Sequence, residues 1–97
     1  MSVMVAVEGT VLPDRVDDFR KLLERIIPET RCFRGNQFVT TYLDVDDTSR
    51  ALFLELWDTR AQQEECSAWR DETGVTAELT RMLKAPPTVT YYADTRS

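Results

Sequence analysis

The sequence predicts an α+β domain with the element order strand, helix, strand, strand, helix, strand, and three observations carry that prediction. Short runs rich in β-branched and aromatic residues fall at 2–11, 36–45 and 88–94, with another opening the stretch "ALFLELWDTR" at 51–60. Two longer segments between them repeat apolar residues at the helical period. Turn chemistry punctuates the chain at Gly35, at "DDTS" (46–49), at Gly74 and at Pro86 and Pro87. A split β-α-β arrangement repeated in this order is the ferredoxin-like fold, in which a four-stranded antiparallel sheet carries both helices on one face.

Taken in order, the first strand alternates Val3, Val5 and Val7 with Met4 and Ala6, so both its faces are apolar. The first helix, within 12–31, aligns Val16, Phe19, Leu22, Leu23, Ile26 and Ile27 along one side. Asp14 is placed as its N-cap, Asp17 and Asp18 complement the dipole in the first turn, and Pro28 is expected to end or kink it. The second strand and the turn at 46–49 make a hairpin with the third. Thr59 caps the second helix, with Gln62 positioned for a capping box; that helix breaks at Gly74 and resumes through Leu79, Met82 and Leu83.

The third strand is apolar on both parities, with Leu52, Leu54 and Leu56 on one and Phe53 and Trp57 on the other. Two helices cover one side of such a sheet. At roughly 25 cal/mol per Å², hiding several hundred Å² of the remaining face favours association by many kcal/mol before its costs, so a homodimer joined sheet to sheet is expected.

A chain of 97 residues is one domain, spanning 1–97, whose thin core makes association a common supplement. The formal net charge is −5 and no basic stripe is present, which argues against nucleic acid and anionic membrane as partners. Nothing approaches the roughly 18–20 apolar residues of a membrane span, and "MSVMVAVEG" lacks signal-peptide features. Two cysteines make no disulfide framework and suit a cytoplasmic setting. There is no histidine, which removes the commonest metal ligand and neutral-pH acid–base group. Asp44, Asp46, Thr48 and Glu55 echo a calcium loop, but Ser49 stands where the loop needs Gly and the flanks are strands, so no metal site is expected.

"VEGTVLPDRVDDFRKLLERIIPETRCFRGN", "LDVDDTSRALFLELWDTRAQQEECSAWRDETG" and "APPTVTYY" together resemble the antibiotic biosynthesis monooxygenase family, small dimeric α/β-barrel proteins of the ferredoxin-like type. Its most specific elements here are the segment from Arg31 to Gly35 and the Glu55-x-Trp57-x-Thr59 junction. The resemblance implies oxidation of a phenol, quinol or polyketide-like aromatic by O2, without metal, flavin or haem. Such chemistry needs a dry pocket, an oriented substrate and a hydrogen-bond donor for the developing peroxide. Trp57 matches the family's Trp, but the Asn and Tyr of the quinone-forming branch fall at Phe53 and Gln63. The haem-degrading branch's helix-two Trp falls at Cys66, and its Asn and His are missing.

If the resemblance holds, the face of Phe53, Glu55 and Trp57 meets the helices and lines a pocket. Trp57 then positions substrate and Glu55 assists its deprotonation, while Phe53, Trp69, Tyr42 and Cys66 contact the small hydrophobic aromatic ligand. Each has a plainer alternative. Trp57 could be a core aromatic with a local acceptor for its N–H. Glu55, desolvated between aromatics, would be shifted upward, yet a carboxylate here more commonly pairs with a cation such as Arg31, Arg34 or Arg50. In the second helix Ala61, Glu65, Ala68 and Glu72 form a stripe of small and acidic residues, with room for a guest beside Trp69 or simply a solvated face. Cys66 has no adjacent Lys, Arg or His and reads as an inert thiol. Tyr42, Tyr91 and Tyr92 offer phenolic donors, though strand tyrosines usually pack with the hydroxyl in water. The alternative functions are a non-catalytic small-molecule binder, an isomerase or lactone-opening relative on the same fold, or a structural dimer module.

Overall fold

Residues 2–96 are described by a computed structural model. The elements run β1 (Val3–Thr10), α1 (Val16–Arg31), β2 (Asn36–Leu43), β3 (Arg50–Trp57), α2 (Arg60–Glu72), α3 (Val75–Arg81) and β4 (Thr88–Ala93), with a 3-10 turn at Pro13–Arg15 ahead of α1. The sheet order is β2-β3-β1-β4 and every pairing is antiparallel. This is the ferredoxin-like α+β fold that the periodicities predict. No helix among the described residues is long and apolar enough to cross a membrane.

Register decides which residues meet the helices. Val3, Val5 and Val7 lie opposite Trp57, Glu55 and Phe53, while Met4, Ala6 and Glu8 lie opposite Leu56, Leu54 and Leu52. Directly paired residues share a face. The odd-numbered set of β3 therefore lies under the helices and the leucines lie on the far side. β2 follows suit: Val39 pairs with Glu55, whereas Phe38 and Tyr42 pair with Leu56 and Leu52. The core divides in two. One cluster packs Val11, Phe19, Leu22, Ile26, Ala51, Met82 and Leu83; the other packs Val5, Trp57 and Cys66, with Phe33 and Trp69 against it.

Three local expectations are corrected. Asp14 does not cap α1: it lies inside the 3-10 turn that Pro13 initiates, and the helix starts at Val16 with no side-chain cap. Pro28 does not end α1, which continues to Arg31. Both Pro28 and Glu24, whose carbonyl loses its i+4 donor, are exposed, so the missing bond falls on the solvent side of the helix, where it costs least. Met82 and Leu83 lie beyond the last helix; Leu83 bridges Val11, and the Leu12 N–H donates to the Met82 carbonyl at 2.8 Å.

The second helix begins as its cap residue dictates, with the Gln62 N–H donating to Thr59 Oγ1 at 3.2 Å. Gly35 holds the approach to it: φ is +90°, its carbonyl accepts from the Asp58 N–H at 2.8 Å, and a Cβ there would overlap the Gln62 side chain. Residues 44–49 close the hairpin between β2 and β3. Asp44 Oδ1 accepts from the Asp46 N–H and Asp44 Oδ2 pairs with Arg50, while Glu55 lies away on β3. Among the described residues no three His, Cys, Asp or Glu side chains gather as a metal site.

Candidate functional site

Between the sheet and the helices lies a cavity of about 200 Å³. Its apolar wall includes Val7, Val39 and Phe53 from the sheet, Ile26 and Ile27 from α1, and Val75 and Leu79 from α3. Its polar wall comes from Glu55 on β3 and from Gln63, Cys66 and Arg70, which follow one another at i, i+3 and i+7 along α2. That spacing keeps all three on one helix face, and they are the buried residues of α2.

Glu55 is held by its neighbour two residues on. The Trp57 Nε1–H donates to Glu55 Oε1 at 2.8 Å. Burial raises the carboxyl above its ordinary value, while the Trp57 hydrogen bond and the Arg70 charge draw it partly back. The ion pair at the sheet edge does not form: Arg50 pairs with Asp44, and Arg31 donates to the Val39 carbonyl.

Arg70 is a buried cation, 8% exposed. Its Nη1 donates to Glu29 Oε1 at 2.8 Å, and its Nη2 donates to the Ile26 carbonyl and to Thr30 Oγ1, both at 2.8 Å. The guanidinium also lies over the Trp69 ring, 4.4 Å from its centroid. These bonds pin α2 to α1 and provide for a charge that would otherwise be expensive to bury. Gln63 is the other polar member of the stripe: its Oε1 accepts from the Tyr91 hydroxyl at 2.7 Å.

The residues singled out from sequence thus separate. Glu55, Phe53 and Cys66 line the cavity. Trp57 does not: it is fully buried in the second core cluster, edge-on to Phe33 at 6.0 Å. Its contribution to the site passes through Glu55. Trp69 packs on Phe33, with ring centroids 5.7 Å apart, and lies behind the wall. Tyr42 is 55% exposed on the far face of the sheet, opposite Leu52, because its parity in β2 places it there. The Ala61, Glu65, Ala68 and Glu72 stripe faces solvent. Hydrophobic patterning passes over Gln63 and Arg70 because both are polar; the available signal was their spacing with Cys66.

Cys66 is 5% exposed, and burial pushes its thiol up to about 11, so it is neutral near pH 7. Cys32 is exposed. Alkylation at pH 8 followed by mass spectrometry is therefore expected to label Cys32 at least tenfold faster than Cys66 in the native protein, with the rates converging in denaturant. Equal native rates would contradict the buried placement.

A four-stranded antiparallel sheet with its helices on one face defines a domain of the ferredoxin-like type, and its relatives narrow the class. A model of the antibiotic biosynthesis monooxygenase family matches residues 2–77, and the chain belongs to that family. Among solved structures, a protein from Mycobacterium tuberculosis superposes with a TM-score of 0.86 at 23% identity, over 97% of this chain and 95% of its own. A conserved protein from Methanosarcina mazei gives 0.89 at 18% identity, over 97% and 93%. A mutant of SnoaB from Streptomyces nogalater, described as a cofactor-independent oxygenase, gives 0.84 at 11% identity, over 99% and 95%. At these identities the structures share the fold. No curated protein matches the chain.

Proposed function

We propose that the chain is a homodimeric monooxygenase in which O2 oxidises a phenol or quinol held in the cavity, without metal, flavin or haem. The observation that carries this reading is the meeting of a sheltered carboxyl, Glu55, and a buried guanidinium, Arg70, on the wall of an otherwise apolar cavity. Family membership and the cofactor-independent oxygenase among its structural neighbours support it. Glu55 takes the hydroxyl proton of the bound phenol, and the resulting phenolate gives one electron to O2. Recombination of superoxide with the ring radical forms a carbon–oxygen bond. One oxygen atom then becomes the new ring carbonyl; the other leaves as water with the displaced ring hydrogen and the hydroxyl hydrogen. The dry wall of Val7, Val39 and Phe53 protects the radical pair.

Phe38, Tyr42, Leu52, Leu54, Leu56 and Tyr92 form the far face of the sheet, which a second copy would cover. Chelator-treated protein incubated with 1,4-naphthalenediol is expected to consume O2 above the spontaneous rate. The same sample should scatter light at twice 11.2 kDa. A second reading, a non-catalytic binder, is favoured by Phe53 and Gln63 standing where the quinone-forming branch has Asn and Tyr. Saturable binding of the diol with O2 uptake at the spontaneous rate would decide for the binder. A scattering mass of one chain would remove the dimer.

A further inference from the structure

We propose that the cavity takes a one- or two-ring aromatic bearing an ionised oxygen substituent, and that Arg70 is the group that recognises this charge. The proposal rests on the cavity being the substrate site, and it adds the size and charge of the guest.

The charge argument starts from the donors of Arg70. A guanidinium carries five N–H groups, and three meet Glu29, Ile26 and Thr30. Among the described residues the Nε–H and the second Nη1–H meet no oxygen acceptor; Cys66 is a weak sulfur partner of the guanidinium, which is buried and borders the cavity. A guanidinium donor whose remaining partner is a weak sulfur acceptor gains from an anionic oxygen, and a carboxylate, phenolate or enolate oxygen arriving through the cavity supplies one. Glu29, the carboxylate paired with Arg70, is about half exposed, so solvent weakens its charge, and Glu55 on the cavity wall is raised by burial, which favours its neutral form. Gln63 adds a neutral donor: with Oε1 engaged by Tyr91, its Nε2 has no partner among the described residues.

Volume sets the ring count. An apolar cavity of about 150 Å³ holds one benzene, and drug-sized ligands occupy roughly 300–1,000 Å³. At about 200 Å³ this cavity accommodates one substituted ring or two fused rings. A third ring would have to project from the open side of the cavity, losing contact with its walls, or part α1 from α3.

The probes are 2-naphthoate, its neutral counterpart 2-naphthamide and the three-ring 2-anthracenecarboxylate, each titrated calorimetrically into the full chain. The wild type is expected to bind 2-naphthoate about 10–100-fold more tightly than 2-naphthamide, the range of a charge-assisted hydrogen bond. The anthracene acid should bind at least tenfold more weakly than 2-naphthoate. Arg70→Gln should erase the preference for the acid while leaving the amide within about threefold, and Arg70→Lys should keep part of it. Because Arg70 also joins α2 to α1, the wild-type comparison of acid with amide stands as a test even where a variant fails to fold. Equal affinity of the wild type for acid and amide, or no binding of either at millimolar concentration, overturns the charge assignment. Anthracene acid binding as tightly as 2-naphthoate overturns the size assignment. The oxidation reading fails separately: acid preference without O2 consumption would sink the oxygenase and leave this inference standing. Undiminished turnover of three-ring quinols by Arg70→Gln would do the reverse.

Discussion

Trp57→Ala is expected to lower the unfolding free energy by about 3–5 kcal/mol, the range for emptying a fully buried aromatic site. The indole is 0% exposed and unites Val5 and Cys66 with the Phe33 ring. A domain of this size has a total stability of roughly 5–15 kcal/mol, so the loss is a large fraction of what holds it folded. Trp57→Phe separates packing from hydrogen bonding. It retains much of the volume but withdraws the N–H that Glu55 Oε1 accepts, at a further cost of about 1–3 kcal/mol for a sheltered carboxyl oxygen left unpaired. It should also raise Glu55 further, because that hydrogen bond favours the ionised form. Urea titration at constant m measures the first effect, and the carboxyl carbon resonance of Glu55 followed against pH measures the second. A loss under 1 kcal/mol for Trp57→Ala would show that the second core cluster does not depend on this ring.

Trp57 also shows what the sequence made legible. That Phe53, Glu55 and Trp57 share one face and the leucines the other follows from strand parity alone, whereas which face meets the helices was implied by the family resemblance. The cap at Thr59 and the break at Gly74 are local chemistry and could be read directly. Tyr42 could not be placed with the same certainty. Its face depends on the β2–β3 register, which the 44–49 turn sets and which runs unbroken from Leu43 back to Phe38. Arg70 was hidden for a different reason. A buried cation is intelligible only with its acceptors, and these come from α1, with Thr30 lying 40 residues away in sequence. The two core clusters fail to merge where the polar stripe of α2 intervenes. The cavity borders Ile26 of one cluster and Cys66 of the other.

Glu55→Gln is expected to reduce turnover of a phenolic substrate by about 10²–10⁴-fold, the range for removing a general base. The loss should fall on kcat more than on KM, since the amide preserves shape and keeps an oxygen to accept from Trp57. In the wild type the rate should rise with pH as Glu55 ionises, along a limb centred above the ordinary carboxyl value of 4.5, and Glu55→Gln should lack that limb. Stability runs the other way. Because burial raises Glu55, the native state binds its proton more tightly than the unfolded chain does, so stability falls with pH between the unfolded and folded pKa values. The contribution is fully present below 4.5, is lost as pH rises through the folded value, and is constant above it. The stability difference between wild type and Glu55→Gln should follow that course, while Cys66, neutral up to about 11, adds no slope across the same window. The ionised carboxylate that accepts a proton is thus the form the fold holds least readily. A shared midpoint for the rate limb and the stability loss would tie both to one carboxyl. An unchanged rate limb in Glu55→Gln would assign the base elsewhere.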